Sequence, residues 1–401
     1  MPILTGYNAF QGLHWETGSV RNYFEFTGVK APHTGRPYSE ALLMGVSGGA
    51  VMGYFSFAYE GYDPHVVILT RNTFDPLDTM LARLGVVQTV RQTSRPDTGL
   101  TNLLDILDDG LPAIVWADMY SLPYNALPFD TGMWAMMPVL VFGYDSEVDT
   151  VWIADRSRAP LTVTTAELAA ARSRVSNFKQ RIVTLDHPDP DKLPGAVLAG
   201  VWDCIRLYTE APPKGARTNF GLAAYDHWAD LLTKPKPRMS WAKQFPPGAR
   251  LLAGLTSTFN HVAIFGKDGN GERDLFAKFL GEAAAILNKP ALNRAGEQFR
   301  QAGRAWDQLG LALLPDSVAL LGETRELMLR RHHLFLSRGN DALAEIIQID
   351  ARLNTLKLAA GNAFPLDAAG VADMQEDIRD HVRTIRAIET EAVAALRRVV
   401  T

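Results

Sequence analysis

The sequence predicts an α+β chain: a mixed first part over residues 1–190 followed by a mainly α-helical part over 191–401. Three observations carry this. Short apolar runs bounded by Gly, Pro and Asp alternate with helically spaced stretches in the first part. The segment Asp186-His187-Pro188-Asp189-Pro190-Asp191-Lys192-Leu193-Pro194 carries three prolines and reads as a boundary loop. Beyond it the apolar spacing is near 3.6 throughout. With 401 residues, 47% of them apolar, two domains with sizeable cores need neither disulfides nor a structural metal.

In chain order, Glu16–Phe26 places apolar or aromatic side chains at Val20, Tyr23, Phe24 and Phe26, which predicts a buried helix ending at Gly28. A glycine-rich run, Gly45-Val46-Ser47-Gly48-Gly49-Ala50-Val51-Met52-Gly53-Tyr54-Phe55, lacks the acidic residue and βαβ setting of a dinucleotide fingerprint, so close backbone packing is its expected purpose. Val66–Thr70 reads as a strand and Asp75–Leu84 as a helix closed by Gly85. Leu100–Asp109 reads as a helix leading through Gly110 and Pro112 into the strand Ala113–Asp118. Val139–Asp145 and Thr150–Asp155 form a predicted hairpin turning at Ser146–Asp149, and Thr165–Arg174 a capped helix. The second part predicts helices over 195–209, 219–233, 247–262, 272–288, 291–313, 317–337, 340–360 and 371–399. The last carries Val371, Met374, Ile378, Val382, Ile385, Ile388, Val393 and Leu396 on one stripe, expected to face a bundle core.

A formal charge of −4, with no Lys/Arg run longer than two, argues against nucleic acid as a partner. The one cysteine, Cys204, excludes an internal disulfide and cysteine-based metal sites, and its apolar neighbours predict an inert core thiol. The adjacent pair His332-His333 points to different helix faces, and the reading is no metal and no cofactor. Gly266-Lys267-Asp268-Gly269-Asn270-Gly271 lacks the Gly-Lys-Ser/Thr ending of a phosphate loop and reads as a turn. No signal-peptide pattern and no run of about 18 apolar residues appears, so the expectation is a cytoplasmic protein with no membrane partner. The apolar-striped helical part suits a homodimer.

Four ordered stretches of the first part carry a resemblance: Gly12-Leu13-His14-Trp15-Glu16-Thr17-Gly18-Ser19-Val20-Arg21-Asn22, the Gly45–Phe55 run, Gly110–Tyr124, and Val139–Asp145 followed by Val151–Asp155. Together they resemble the N-terminal domain of the butirosin biosynthesis protein H family. Asn219-Phe220-Gly221-Leu222 and Gly269–Leu280 resemble the domain usually attached to it. The resemblance implies a papain-like, cysteine-peptidase-type N-terminal domain used for acyl transfer. Its chemistry joins an aminoacyl group, held as a thioester on an acyl-carrier protein, to an amine acceptor.

That chemistry uses a thiolate at the head of the first helix, an imidazole to carry its proton and a carboxylate to orient the imidazole. The resemblance sets the three roles at Trp15, Met137 and Asp155. The first two are therefore an indole and a thioether instead of a thiol and an imidazole, and the segment Met133–Met137 contains no histidine. Trp15, Trp134, Met136 and Met137 are expected to fill or line the cleft, which suits an apolar or flat ligand. Asp155, without an imidazole, is expected to bond backbone or Arg156 and Arg158. By the same resemblance Asp118 and Tyr120 flank the cleft, where they suit an amine-bearing substrate or serve as a loop anchor and an aromatic shelf. Gln11 is placed near an oxyanion position. His14 is the remaining imidazole, a candidate general base for an amine attacking a bound thioester directly, or a helix-start packing residue.

Three functions stay open on the sequence. One is amide formation by acyl transfer without a cysteine nucleophile. Another is a catalytically silent relative that binds a metabolite, an acyl carrier or a partner enzyme through the remodelled cleft. The third is a structural subunit of a biosynthetic complex.

Overall fold

A computed structural model describes residues 3–127, 131–265 and 270–401. Most of the turn read over Gly266–Gly271 lies outside the described residues. The elements in chain order are α1 (Trp15–Phe26), α2 (Glu40–Val46), β1 (Ala50–Phe57), β2 (His65–Arg71), α3 (Pro76–Arg83), β3 (Gln88–Arg91), α4 (Pro96–Asp108), β4 (Ala113–Asp118), β5 (Met136–Asp145), β6 (Thr150–Ala154), β7 (Leu161–Val163), α5 (Thr165–Ser173) and β8 (Ile182–Leu185). Nine helices follow among the described residues: α6 (Leu193–Thr209), α7 (Gly221–Thr233), α8 (Trp241–Gln244), α9 (Ala249–Phe259), α10 (Arg273–Ile286), α11 (Ala291–Leu313), α12 (Ala319–Arg338), α13 (Leu343–Asn362) and α14 (Ala368–Val400). The chain is thus mixed α/β with a helical C-terminal region. No helix among the described residues is long and apolar enough to cross a membrane.

The chain forms two compact units, each drawn from three stretches. One comprises the residues up to Leu43, Leu77–Leu193 and Arg331–Gln348. Its centre is an antiparallel sheet in the order β3-β8-β4-β5-β6-β7. β4 pairs with β5 in a register that sets Asp118 opposite Met136 and Ala117 opposite Met137. The predicted hairpin is β5–β6, with a register shift between Val141 and Gly143. β5 starts at Met136, three residues before the predicted Val139, because β4 continues to pair with it through Pro138. α4 starts at Pro96 and not at Leu100, since a proline at the first helical position loses no hydrogen bond. The polar start read before Thr165 is a reciprocal cap: Thr164 accepts from the Glu167 N–H while Glu167 accepts from the Thr164 N–H.

α1 lies against β5, and its Ser19 hydroxyl donates to the Pro138 carbonyl at 3.2 Å. Gly12 and Gly18 let the lead-in strand of chain approach the helix: a Cβ on Gly12 would stand 2.8 Å from the Gly18 Cα. That contact explains both glycines of the Gly12–Asn22 stretch.

The other unit comprises Met44–Pro76, Pro194–Arg330 and Ile349–Thr401. A two-stranded antiparallel sheet, β1–β2, accompanies α7, α9, α10, α11 and α14. The glycine run is indeed a packing device, since a Cβ on Gly45 would fall 2.1 Å from the Phe279 ring. Seven of the eight α14 stripe residues are buried, Ile388 being half-buried. Cys204 is buried in α6, and burial pushes its thiol up, away from thiolate formation.

At the centre of this unit Arg273 and Glu389, both fully buried, pair at 2.7 Å. Glu389 also accepts from Tyr208 and Tyr225 at 2.6 Å each and from the Trp306 indole at 2.9 Å. The other Arg273 donors reach the carbonyls of Thr70, Gly271 and Val51. Burial alone raises the Glu389 carboxyl, but the Arg273 charge and the hydrogen bonds from Arg273, Tyr208 and Tyr225 outweigh it and leave the group below its ordinary value. Because the folded value lies below the unfolded one, the pair's contribution is complete above the unfolded carboxyl value and is lost as pH falls through the depressed folded value. Arg273→Met is expected to lower stability by about 3–5 kcal/mol, as for a buried pair left with one partner. Urea denaturation at neutral pH measures that loss, and the difference from the parent protein should shrink on acidification.

Candidate functional site

The head of α1 is fixed by one carboxylate. Glu40, buried on α2, accepts from the Leu13 N–H at 2.5 Å, the His14 N–H at 2.8 Å and the Thr17 hydroxyl at 2.7 Å. A carboxylate here also complements the positive end of the helix dipole. His14 is therefore the buried residue preceding the helix, and Trp15 is its first residue, half-buried.

Over the Trp15 ring lies the guanidinium of Arg156, its carbon 4.2 Å from the ring centroid. Asp155 holds that guanidinium: Nε donates to Oδ1 at 3.2 Å and Nη2 to Oδ2 at 3.3 Å. Nη2 also donates to the Asn125 side-chain oxygen at 2.6 Å. The Tyr124 hydroxyl donates to Asp155 Oδ2 at 3.3 Å. Burial first, and then the Asp155 charge, raise the Tyr124 phenol well above its ordinary value, so it stays a donor. Phe335 lies on the guanidinium as well, at 5.1 Å, and stacks with Tyr124.

Two features hold the surrounding backbone. The carbonyl of Leu336 accepts from the Arg158 N–H at 2.8 Å and from the Ser157 hydroxyl at 3.4 Å, tying the segment after Asp155 to the one bearing Phe335. Arg331 donates to the carbonyls of Asn125 and Ala126 at 3.0 and 3.3 Å. Ala126 sits in the left-handed region at φ 50°, a costly conformation for a non-glycine residue that the surrounding contacts must enforce.

The structure thus brings Trp15 and Asp155 to one place, through Arg156. Of the two arginines expected near Asp155, Arg156 binds it, whereas Arg158 is exposed. The other predicted residues are placed differently. Asp118 is fully buried, and its carboxylate is engaged by Ser121 at 2.7 Å, the Ala135 N–H at 2.8 Å and Arg174 at 3.7 Å. That arrangement is a loop anchor, and not an open acceptor for an amine. Tyr120, two residues on, is half-buried. Gln11 is exposed and accepts from Arg21 at 3.3 Å. Trp134 is 53% exposed in the loop before β5, so of the two expectations, filling or lining a cleft, filling does not describe it. Met136 and Met137 are neighbours on a strand and project to opposite faces, so they cannot both line one wall. Among the described residues no three His, Cys, Asp or Glu come together as a metal-ligand set.

Sequence reasoning missed Asn125, Phe335, Arg331 and Glu40. Tyr124 and Arg156 stood inside or beside the stretches that carried the resemblance. Phe335 and Arg331 arrive from much farther along the chain, and no local pattern marks them.

Fold and site define a mixed α/β protein whose candidate centre joins the head of one helix to the residues following a sheet strand. Residues 14–156 match the family model of butirosin biosynthesis protein H, N-terminal, a span that begins at His14 and ends at Arg156. Residues 166–326 match a domain of unknown function (DUF4872). The chain belongs to the butirosin biosynthesis protein H-like family, a family of acyltransferase-like proteins of natural-product biosynthesis. No curated protein matches it.

Glu40→Ala leaves the Leu13 and His14 N–H groups and the Thr17 hydroxyl without their acceptor. The expected cost is about 2–4 kcal/mol in thermal or urea unfolding, with faster amide exchange at residues 13–17.

Proposed function

We propose that this protein is a butirosin-H-like member with a papain-like N-terminal domain, about 1–190, and a helical domain, 191–401, whose centre at Trp15 binds a ligand without performing thioester acyl transfer. The observation that supports this reading is the Arg156 guanidinium, stacked on Trp15 and clamped by Asp155. On the family's scheme Asp155 orients a proton-carrying imidazole. A guanidinium keeps its proton throughout the physiological range, so in that place it supplies charge and hydrogen-bond donors and no proton shuttle. An indole at residue 15 cannot take an acyl group from a thioester as a thiolate does. The acyl-carrier-linked donor and amine acceptor that the family implies are, on this reading, ligands or neighbours of the centre.

His14 supports a second reading, direct attack of an amine on a bound thioester with the imidazole as base. It is favoured by the position of His14 immediately before Trp15 at the head of α1.

The two readings separate in one assay. The purified full-length protein is incubated with an aminoacyl thioester of N-acetylcysteamine and an aminoglycoside amine, and the amide is sought by mass spectrometry. The binding reading expects no amide above the protein-free control. Amide at about tenfold over that control or more overturns it. Its loss in His14→Ala, with an unchanged melting curve, then establishes the second reading.

The assignment of residues 15 and 137 to the family's thiol and imidazole positions has its own test. In Trp15→Cys/Met137→His the new thiol is expected to alkylate readily at about pH 6, well below the range of an ordinary cysteine. A thiol that reacts only in alkali overturns the assignment.

A further inference from the structure

We infer that the Arg156 centre is a receptor for an oxyanion head group, a carboxylate or a phosphate, which binds edge-on to the guanidinium between Trp15 and Phe335. The inference deepens the binding reading above and rests on it.

A guanidinium has five N–H donors arranged around one plane. In Arg156 three of those donors are spent: Nε and one Nη2 donor reach Asp155 and the other Nη2 donor reaches Asn125, which leaves the two on Nη1. The rings of Trp15 and Phe335 lie against the guanidinium at 4.2 and 5.1 Å. Nη1 makes no hydrogen bond among the described residues, although the side chain is only 11% exposed. Nη1 is not among the buried unpartnered atoms, so it stays accessible to a ligand, and Arg273 is the contrasting case. There all three nitrogens are engaged: Nε by Glu389, Nη1 by Thr70 and Gly271, and Nη2 by Val51, Tyr208 and Glu389.

The Nη1 edge therefore defines what fits. Its donors lie in the guanidinium plane, where carboxylate and phosphate oxygens make their strongest bonds to arginine. Ammonium groups are excluded, because the edge presents only donors and positive charge. A neutral thioester carbonyl accepts from the guanidinium but lacks the opposite charge that a carboxylate or phosphate brings to it. The aromatic side chains hold the fork in orientation and add apolar contact for the part of the ligand next to its anionic group. The Tyr124–Ala126 loop, held by Arg331 in a costly conformation, keeps Asn125 and hence the fork in place.

The test is a titration of the full-length protein, by calorimetry and by tryptophan fluorescence, with inorganic phosphate, with acetate and with methylammonium. Saturable binding of phosphate or acetate, and none of methylammonium, is expected; the tighter of the two anions identifies the head group. Arg156→Gln should weaken that anion about tenfold or more. Arg156→Lys, which keeps the charge but not the planar fork, should fall between the two. Melting curves of both variants confirm folding, and if Arg156→Gln does not fold, the comparison is made with Arg156→Lys and Trp15→Phe. No binding of either anion to the parent protein overturns the inference. So does anion binding that is equally tight in the folded Arg156 variants, or preferential binding of methylammonium. Failure of the binding-only reading has a separate signature, formation of an amide from the thioester and amine with release of the thiol, which no anion titration produces.

Discussion

Burying a guanidinium beside a carboxylate costs least when its remaining donors find acceptors, and this constraint organises the helical unit around Arg273 and Glu389. The pair draws hydrogen bonds from α6, α7, α11 and α14 and from the backbone of β1 and β2 to one point. Ridge packing alone leaves related helix registers close in energy. A register slip at such a centre strands a buried charge, at a cost that a slip between apolar ridges does not carry. The stripe along α14 supplies the area and Glu389 supplies the alignment. The Asp155–Arg156 pair in the other unit has the same chemistry and a different outcome. It is walled by aromatic rings and one donor edge is left over, so the same physical rule that makes Arg273 scaffolding makes Arg156 a candidate receptor.

How much of this the sequence discloses depends on whether the signal is local. The α14 stripe, the β5–β6 hairpin, the Thr164 cap and the helix that ends at Gly28 rest on neighbours within a few residues, and these elements are where the pattern puts them. The strands β3 and β8 are four residues each and too short for a periodic pattern, α2 is a seven-residue helix running into the glycine run, and β1 starts inside that run, whose spacing mimics neither element. Glu389 is one acid within an amphipathic helix full of acids, so nothing in its surroundings distinguishes a buried carboxylate from a solvated one. At the site, Trp15 and Asp155 could be named because the family order fixes them relative to motifs. Phe335 could not, since it reaches the centre only through the pairing of Leu336 with the segment after Asp155. For Asp118 the sequence leaves an amine-binding role and a loop anchor both open, because it shows the charge but not the Ser121, Ala135 and Arg174 groups that engage it.

The electrostatics at the head of α1 bear on why a thiol there, without an imidazole partner of the kind Met137→His would supply, would be poorly served. A reactive thiolate gains from an unopposed helix N-terminus and a neighbouring cation. Here the Glu40 carboxylate, bonded to the N–H groups of Leu13 and His14, already answers the helix dipole and contributes a negative charge of its own. Arg156 is the cation that remains, and Asp155 neutralises it at close range. The local field is therefore balanced without any anion on residue 15, which suits an uncharged indole.

The same balance bears on the proton. In a thiol–imidazole centre the carboxylate raises the basicity of a group that must gain and lose a proton during each turnover. Joined instead to a guanidinium, the carboxylate strengthens a charge that never changes. Such a centre has no proton to shuttle, but it can hold an anionic ligand in a fixed orientation. Of the imidazoles in the chain, His14 alone precedes Trp15, and its backbone N–H is committed to Glu40. The imidazole next to Trp15 is the one on which the direct-attack reading depends, which makes the identity of residue 14 the point on which binding and catalysis diverge.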